Sequence, residues 1–174
     1  IALDWWEIER VNTIRSAPRD VLIRNYDLFR DNWIRDASGE VMAIDRRFIN
    51  SGGSRMRGIE LDANLSGELA GGRWKINLNG SYIHQFHTKA LESLPYSGNL
   101  VGRYVRYFNL PIRWKHSLNA GYTRGNWSHS LSQIHRDGYL DEPPVSVANG
   151  SFIPAGRKPR VDGYTTYNYS VTWT

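Results

Sequence analysis

Apolar and polar side chains alternate along residues 58–82, on either side of a glycine-containing turn. Ile59, Leu61, Ala63 and Leu65 alternate with Glu60, Asp62, Asn64 and Ser66. Beyond the turn, Trp74, Ile76, Leu78 and Tyr82 alternate with Lys75, Asn77, Asn79 and Ser81. Successive side chains of a strand point to opposite faces, so this period predicts a hairpin with one oily and one wet face. The same rhythm predicts six strands, at about residues 1–11, 48–66, 74–86, 104–122, 127–139 and 161–174. Within the polar stretch 12–47, the Ser-Gly pair in "WIRDASGEVMAID" predicts a small hairpin of its own. No helix longer than a turn or two is predicted, and no repeat of about 20–50 residues stands out.

The connections sort by length. Long ones follow the first, third and fifth strands, and short turns follow the second and fourth. In an antiparallel meander this puts every long loop at one end, the arrangement of outer-membrane barrels. Four of the strands also have one face without charge: Ile59 to Leu65, Trp74 to Tyr82, Trp114 to Tyr122, and Tyr167 to Trp173, each taken at alternate residues. A soluble core would satisfy that test as well, so the placement of the large rings has to separate the two cases. Trp74 and Trp127 begin strands just after short turns, Tyr122 ends one just before, and Trp173 falls where the next would lie. Trp74 pairs with Tyr82, and Trp114 with Tyr122, each eight residues apart on one face. At about 3.3 Å per residue that is roughly 26 Å, close to the apolar band between the aromatic girdles of a membrane barrel. A soluble core would place its large rings centrally, so the oily face is expected to point outward into lipid.

Two strands fit this scheme less well. The fifth would turn His129, Gln133 and His135 toward lipid and Ile134 inward, so a bulge or register shift is expected there. The first has Asp4 and Arg10 on one face and Glu7 and Glu9 on the other; Glu7 and Glu9 are expected above the membrane.

Composition narrows the alternatives. The chain has 174 residues, one domain's worth, with 40% hydrophobic residues. Its mean hydropathy of −0.54 is too polar for a helical membrane protein. Seven Trp and ten Tyr argue against disorder, and the absence of Cys excludes disulfides and thiolate metal sites. The net charge is +5, but the arginines scatter through loops without forming a patch, so no nucleic-acid partner is expected. The chain opens on Ile1, carries no signal peptide and closes on "YNYSVTWT" within a strand pattern, and is therefore expected to be a piece of something larger.

Several stretches, "LDWWEIERVNTI", "FINSGGSRMRGIELDANL", "LPIRWKHSLNAGYTRGNWSHSLSQIHRDGYLDE" and "VDGYTTYNYSVTW", occur in that order. Together they resemble the late barrel strands of TonB-dependent outer-membrane receptors. Asn50, Gly52, Gly58, Ile59 and Glu60 match the family's Asn-x-Gly…Gly-Ile/Val-Glu descent from a loop. Pro111, Trp114, Trp127, Tyr139 and Asp141 match the next pair of strands. One departure is Asn168, where relatives often carry Asp. The family's closing motifs are absent, as are the plug and the segment that docks TonB. The resemblance therefore implies an all-β chain, an antiparallel meander of about six strands forming part of a large transmembrane β-barrel, with residues 1–174 one partial barrel domain.

The resemblance further implies a bacterial outer-membrane receptor, not an enzyme, with no cofactor. It takes up a scarce ligand such as a ferric siderophore, cobalamin or an oligosaccharide. Its partners would be the remainder of the barrel and the plug, the TonB complex, and outer-membrane lipid and lipopolysaccharide. Candidate ligand contacts are Tyr26, Phe29, Trp33, Arg46 and Arg47 in the first long loop, and Tyr96, Arg103, Tyr104 and Tyr107 in the second. Such side chains supply stacking faces and anion contacts. The plainer reading is that the rings pack loop against loop and the arginines meet lipopolysaccharide phosphates.

Other features lead to plainer readings. His84 with His87, and His129 with His135, have metal-pair spacing but no evident carboxylate or thiolate partner, so no metal site is expected. Glu60 and Asp62 share a strand face that lumen polarity explains, and no catalytic constellation appears. "GRKPR" at 156–160 reads as a solvated loop tip. The sequons at Asn64, Asn79, Asn126, Asn149 and Asn168 carry little weight in an Asn/Ser-rich strand protein. From another class, a secreted carbohydrate-binding β-sandwich would explain the tryptophans and the missing cysteine, but neither the loop sorting nor the ring spacing. A porin- or usher-like barrel differs only in lacking a plug upstream.

Overall fold

Two tight turns organise the main sheet. Ala70 and Gly71 both take positive φ, 52° and 75°. This is the two-residue geometry whose twist matches that of a hairpin. Gly125, at φ 55°, opens the other turn. The computed structural model describes residues 1–174 apart from 18, 51, 105–109, 149 and 153–155. In chain order it contains β1 (Ala2–Val11), β2 (Ile14–Ser16), α1 (Arg19–Arg24), a 3-10 segment Tyr26–Asn32, β3 (Trp33–Arg35), β4 (Val41–Ile44) and β5 (Phe48–Asn50). There follow β6 (Gly53–Leu69), β7 (Gly72–Lys89), β8 (Trp114–Arg124), β9 (Trp127–Arg136), β10 (Tyr139–Leu140), α2 (Val145–Ala148), β11 (Arg160–Val161) and β12 (Tyr164–Trp173).

The six long strands form one sheet in the order β1-β6-β7-β8-β9-β12, an antiparallel meander. Its registers bring the aromatic rows into line. Trp74 lies opposite Tyr122, and Tyr82 opposite Trp114. Trp127 lies opposite Trp173, their rings meeting edge to face at 4.9 Å. Gly80 leaves the space that the Trp114 ring occupies; a Cβ there would collide with it. The apolar face between these rows is uncovered. Tyr167 and Tyr169 are each 63% exposed and Trp173 61%. A water-soluble domain does not leave such a continuous apolar face open. On the opposite face, hydrogen bonds join Asn64 to Asn77 and Asp62 to Asn79 across β6 and β7.

The fifth expected strand differs from its expectation in an instructive way. No bulge or register shift occurs in β9: it pairs without interruption with β8 from Lys115↔Arg136 to Arg124↔Trp127, and with β12 from Tyr164↔Arg136 to Trp173↔Trp127. His129, Gln133 and His135 do share the apolar face, and each is hydrogen-bonded there. His129 Nδ1 meets the Tyr169 hydroxyl at 2.7 Å, Gln133 donates to the Tyr167 hydroxyl at 3.0 Å, and His135 Nδ1 meets Thr165 Oγ1 at 2.8 Å. His116 Nε2 lies 3.1 Å from Gln133 Oε1, and His116 Nδ1 accepts a bond from Trp114 Nε1 at 2.9 Å. A polar group that is hydrogen-bonded costs far less to remove from water than a bare one. Mutual pairing therefore takes the place of a shift in register.

Other boundaries move for local reasons. The expected strand from 104 begins at Trp114; residues 105–109 lie outside those described, and Pro111, which has no N–H to give a ladder, stands just before. The expected strand 48–66 divides. Phe48–Asn50 pairs back with Ile14–Ser16, the Gly52 amide turns to the Ala90 carbonyl at 3.0 Å, and the long strand starts at Gly53. The small hairpin forms as β3 on β4. Among the described residues no helix is long and apolar enough to cross a membrane.

The chain divides into two units. A wall unit comprises Ile1–Glu7, Met56–Phe86 and Asn99–Thr174, and a loop unit comprises Ile8–Arg55 and His87–Gly98. The loop unit has a core of its own: Ala17, Leu22 and Phe29 are buried, with Val21, Ile44, Ile49 and Leu91 packed against them. In the wall unit Asn99 secures the returning chain. Its Oδ1 accepts bonds from the Phe86 and Val101 amides, and its Nδ2 donates to the His84 carbonyl.

Candidate functional site

The loop unit gathers rings and guanidinium groups on a short scaffold. Tyr26 opens the 3-10 segment and Trp33 opens β3, and their rings meet edge to face at 5.4 Å. The Arg30 guanidinium lies 5.9 Å from the Tyr26 ring centre, within cation–π range, and Arg35 donates to the Tyr26 hydroxyl at 3.2 Å. Asp36 holds the adjoining turn by accepting from the Ser38 amide and hydroxyl and from the Glu40 amide. The Ser38 hydroxyl bond, more than the amide bonds, keeps its carboxyl below the ordinary aspartate range.

A second group centres on Tyr96. Its ring lies 5.5 Å from the Arg55 guanidinium and 5.2 Å from the Lys89 ammonium, and its hydroxyl donates to Glu9 at 3.0 Å. Arg55 closes the group through a 3.0 Å ion pair with Glu9. Partial burial, then the Glu9 carboxylate, holds the Tyr96 phenol above the ordinary tyrosine range. Tyr96 is thus a neutral hydrogen-bond donor at neutral pH.

The remaining expected residues take other places. Phe29 is 6% exposed inside the core, so it supports the loop surface and presents no face to a solute. Arg46 ties chain segments together, donating to the Ala17 carbonyl at 3.1 Å while its own carbonyl accepts from Ser16. Arg47 is exposed and paired with Asp45 at 2.6 Å. In the wall unit, Arg103 forms an isolated bridge with Leu140, and the Tyr104 amide donates to the Leu140 carbonyl at 2.8 Å. Tyr107 and the Asn149 sequon lie outside the described residues.

His87, His129 and His135 have local partners. His87 Nδ1 lies 2.8 Å from the Ser97 carbonyl, while His129 and His135 bond to Tyr169 and Thr165. Glu60 and Asp62 line a hollow of the wall with Asp4, Lys115 and Arg136. Glu7, on the first strand, meets Arg57 at 3.1 Å. Ile59 and Tyr82 are equally far from the Ala70-Gly71 turn, so Arg57 and its partner lie beyond the Tyr82 row.

Sequence reasoning missed Arg30 and Arg35 around Tyr26, and Glu9, Arg55 and Lys89 around Tyr96. Arg30 reaches the Tyr26 ring within a 3-10 segment that the alternation of polar and apolar residues does not announce. The Tyr96 group joins three separate chain segments, and no local pattern announces it.

An antiparallel wall whose uncovered apolar face runs between two aromatic rows, with a polar face behind, defines a stretch of transmembrane β-barrel. The chain belongs to the TonB-dependent receptor β-barrel family, whose model, "TonB dependent receptor-like, beta-barrel", matches residues 1–174. Neither the comparison with curated proteins nor that with solved structures gave a match. Members of this family are transporters of the outer membrane and not enzymes.

Proposed function

We propose that residues 1–174 are a run of wall and long loops from a larger, closed barrel, with a plug in its lumen. Six strands in an open meander leave two unpaired edges, which hydrocarbon does not tolerate, so further strands must close the ring. The whole receptor, in the outer membrane of a bacterium, captures a scarce ligand at its long loops and admits it when TonB displaces the plug. Ferric siderophores, cobalamin and oligosaccharides are the ligand classes that fit. The observation that carries the loop assignment is the ordered Tyr26–Trp33 pair with Arg30 and Arg35 around it. Such a surface offers a stacking face beside cationic donors. Trp33, Tyr96, Arg46, Arg47, Arg103, Tyr104 and Tyr107 contribute as direct contacts or as supports.

Uptake by cells carrying the intact receptor tests this. Radiolabelled ferric siderophores, cobalamin and oligosaccharides would be offered with and without TonB. The expected result is TonB-dependent uptake of one class, lowered about tenfold or more by the pair Tyr26→Ala and Trp33→Ala, with receptor levels unchanged. Absence of TonB-dependent uptake for all three classes would overturn the proposal.

A further inference from the structure

The wall unit contains a cleft of about 350 Å³ in which three arginines, Arg103, Arg113 and Arg160, face one carboxylate, Asp137. Its construction follows from the backbone. Leu140 is the ladder partner of Arg160 and also the bridge partner of Arg103. Residues directly opposite one another on neighbouring strands project to the same side, so both arginines flank Leu140 together. The bridge is held by paired bonds: the Leu140 amide donates to the Gly102 carbonyl and the Tyr104 amide to the Leu140 carbonyl, both at 2.8 Å. The Gly102 amide donates to the Pro111 carbonyl at 2.8 Å, which fixes the approach to Arg113. Gly138 permits β11 to lie close, since a Cβ there would collide with the Val161 carbonyl.

The charge in this cleft is left open. Among the described residues, none of the three guanidinium groups forms an ion pair or a hydrogen bond, whereas Asp137 already meets His135 Nε2 at 3.3 Å. Three cations lining one cleft, against one engaged carboxylate, favour an incoming anion. Guanidinium forks match carboxylate and phosphate oxygens two at a time.

We propose that this cleft is an oxyanion site, taking a carboxylate or phosphate group through Arg103, Arg113 and Arg160. Its place in ligand capture rests on the receptor reading above, while the binding itself does not. Two sources carry such a group, a soluble ligand and the phosphates of lipopolysaccharide.

Titration calorimetry on the intact receptor in lipopolysaccharide-free detergent micelles, with inorganic phosphate and with succinate, tests the site. Parallel binding to phospholipid vesicles with and without lipopolysaccharide separates the two sources. Saturable binding of a soluble anion is expected, weakening with added salt and falling about tenfold for each of Arg103→Gln, Arg113→Gln and Arg160→Gln. Arg160→Lys keeps the charge without the fork and should fall between wild type and Arg160→Gln. Unchanged melting temperatures would show that the variants fold. Arginine-dependent binding seen only with lipopolysaccharide vesicles would assign the site to lipid phosphate. Binding equal in wild type and all variants, or absent from every arm, would overturn the site. TonB-dependent uptake could still stand in that case, so the two readings fail separately.

Discussion

Placing an arginine at Leu118 in the intact receptor is expected to destabilise the barrel by about 2–4 kcal/mol, the cost of a cation near the middle of the hydrocarbon. Leu118 lies midway along β8 between Tyr122 and Trp114, opposite Leu78 on one side and Gln133 on the other. Its neighbour Asn119 projects to the polar face, where the same substitution should change stability by only about 0.5 kcal/mol. Urea unfolding in phospholipid vesicles measures both. Comparable large losses for Leu118→Arg and Asn119→Arg would mean that both faces of β8 are dry, which the single-layer wall forbids.

The second large effect is expected inside the loop unit. Leu22 is fully buried, at 0% exposure, in the core formed with Ala17 and Phe29. Leu22→Ala removes buried methyl groups and leaves a cavity, and should cost about 2–5 kcal/mol. Because that core belongs to the loop unit, the loss should be local. Hydrogen exchange should quicken at the Asn25 amide, bonded to the Val21 carbonyl, and at the Asp45 amide, bonded to the Asn32 carbonyl. The Ile83 amide, bonded to Arg113 in the wall unit, should keep its protection. Equal quickening at all three would show that the loop core and the wall unfold together.

Much of the wall was legible because a period of two is a strong local signal that membrane and core strands alike must obey. The two short turns, the sorting of the loops and the heights of Trp74, Trp114, Tyr122, Trp127 and Trp173 followed from counting along the chain. The behaviour of β9 did not follow, because counting treats His129, Gln133 and His135 as misplaced polar groups. Their partners, Tyr169, Tyr167, His116 and Thr165, sit on neighbouring strands, and only the register reveals that the groups satisfy one another. The loop unit was legible only as a source of rings and arginines. Phe29 looks like Tyr26 in a sequence, yet one fills the core and the other lies in the surface cluster. Arg103 was singled out, but Arg160 joins it through the Leu140 bridge and ladder, and Arg113 lies just past the Gly102–Pro111 bond, pairings that no local pattern shows.

The central claim is that the oily face of this sheet meets lipid. The chain contains no cysteine, so a spin label can be placed at single engineered cysteines along β8, in an intact receptor without other reactive cysteines. Collision with oxygen, which concentrates in hydrocarbon, would be compared with collision with a water-soluble nickel chelate at residues 116–122. Oxygen access should peak at Leu118 and Ala120, and nickel access at Ser117 and Asn119, with a period of two. Leu118 and Ala120 shielded from both reagents would contradict the account, since the oily face would then be the interior of a soluble sandwich.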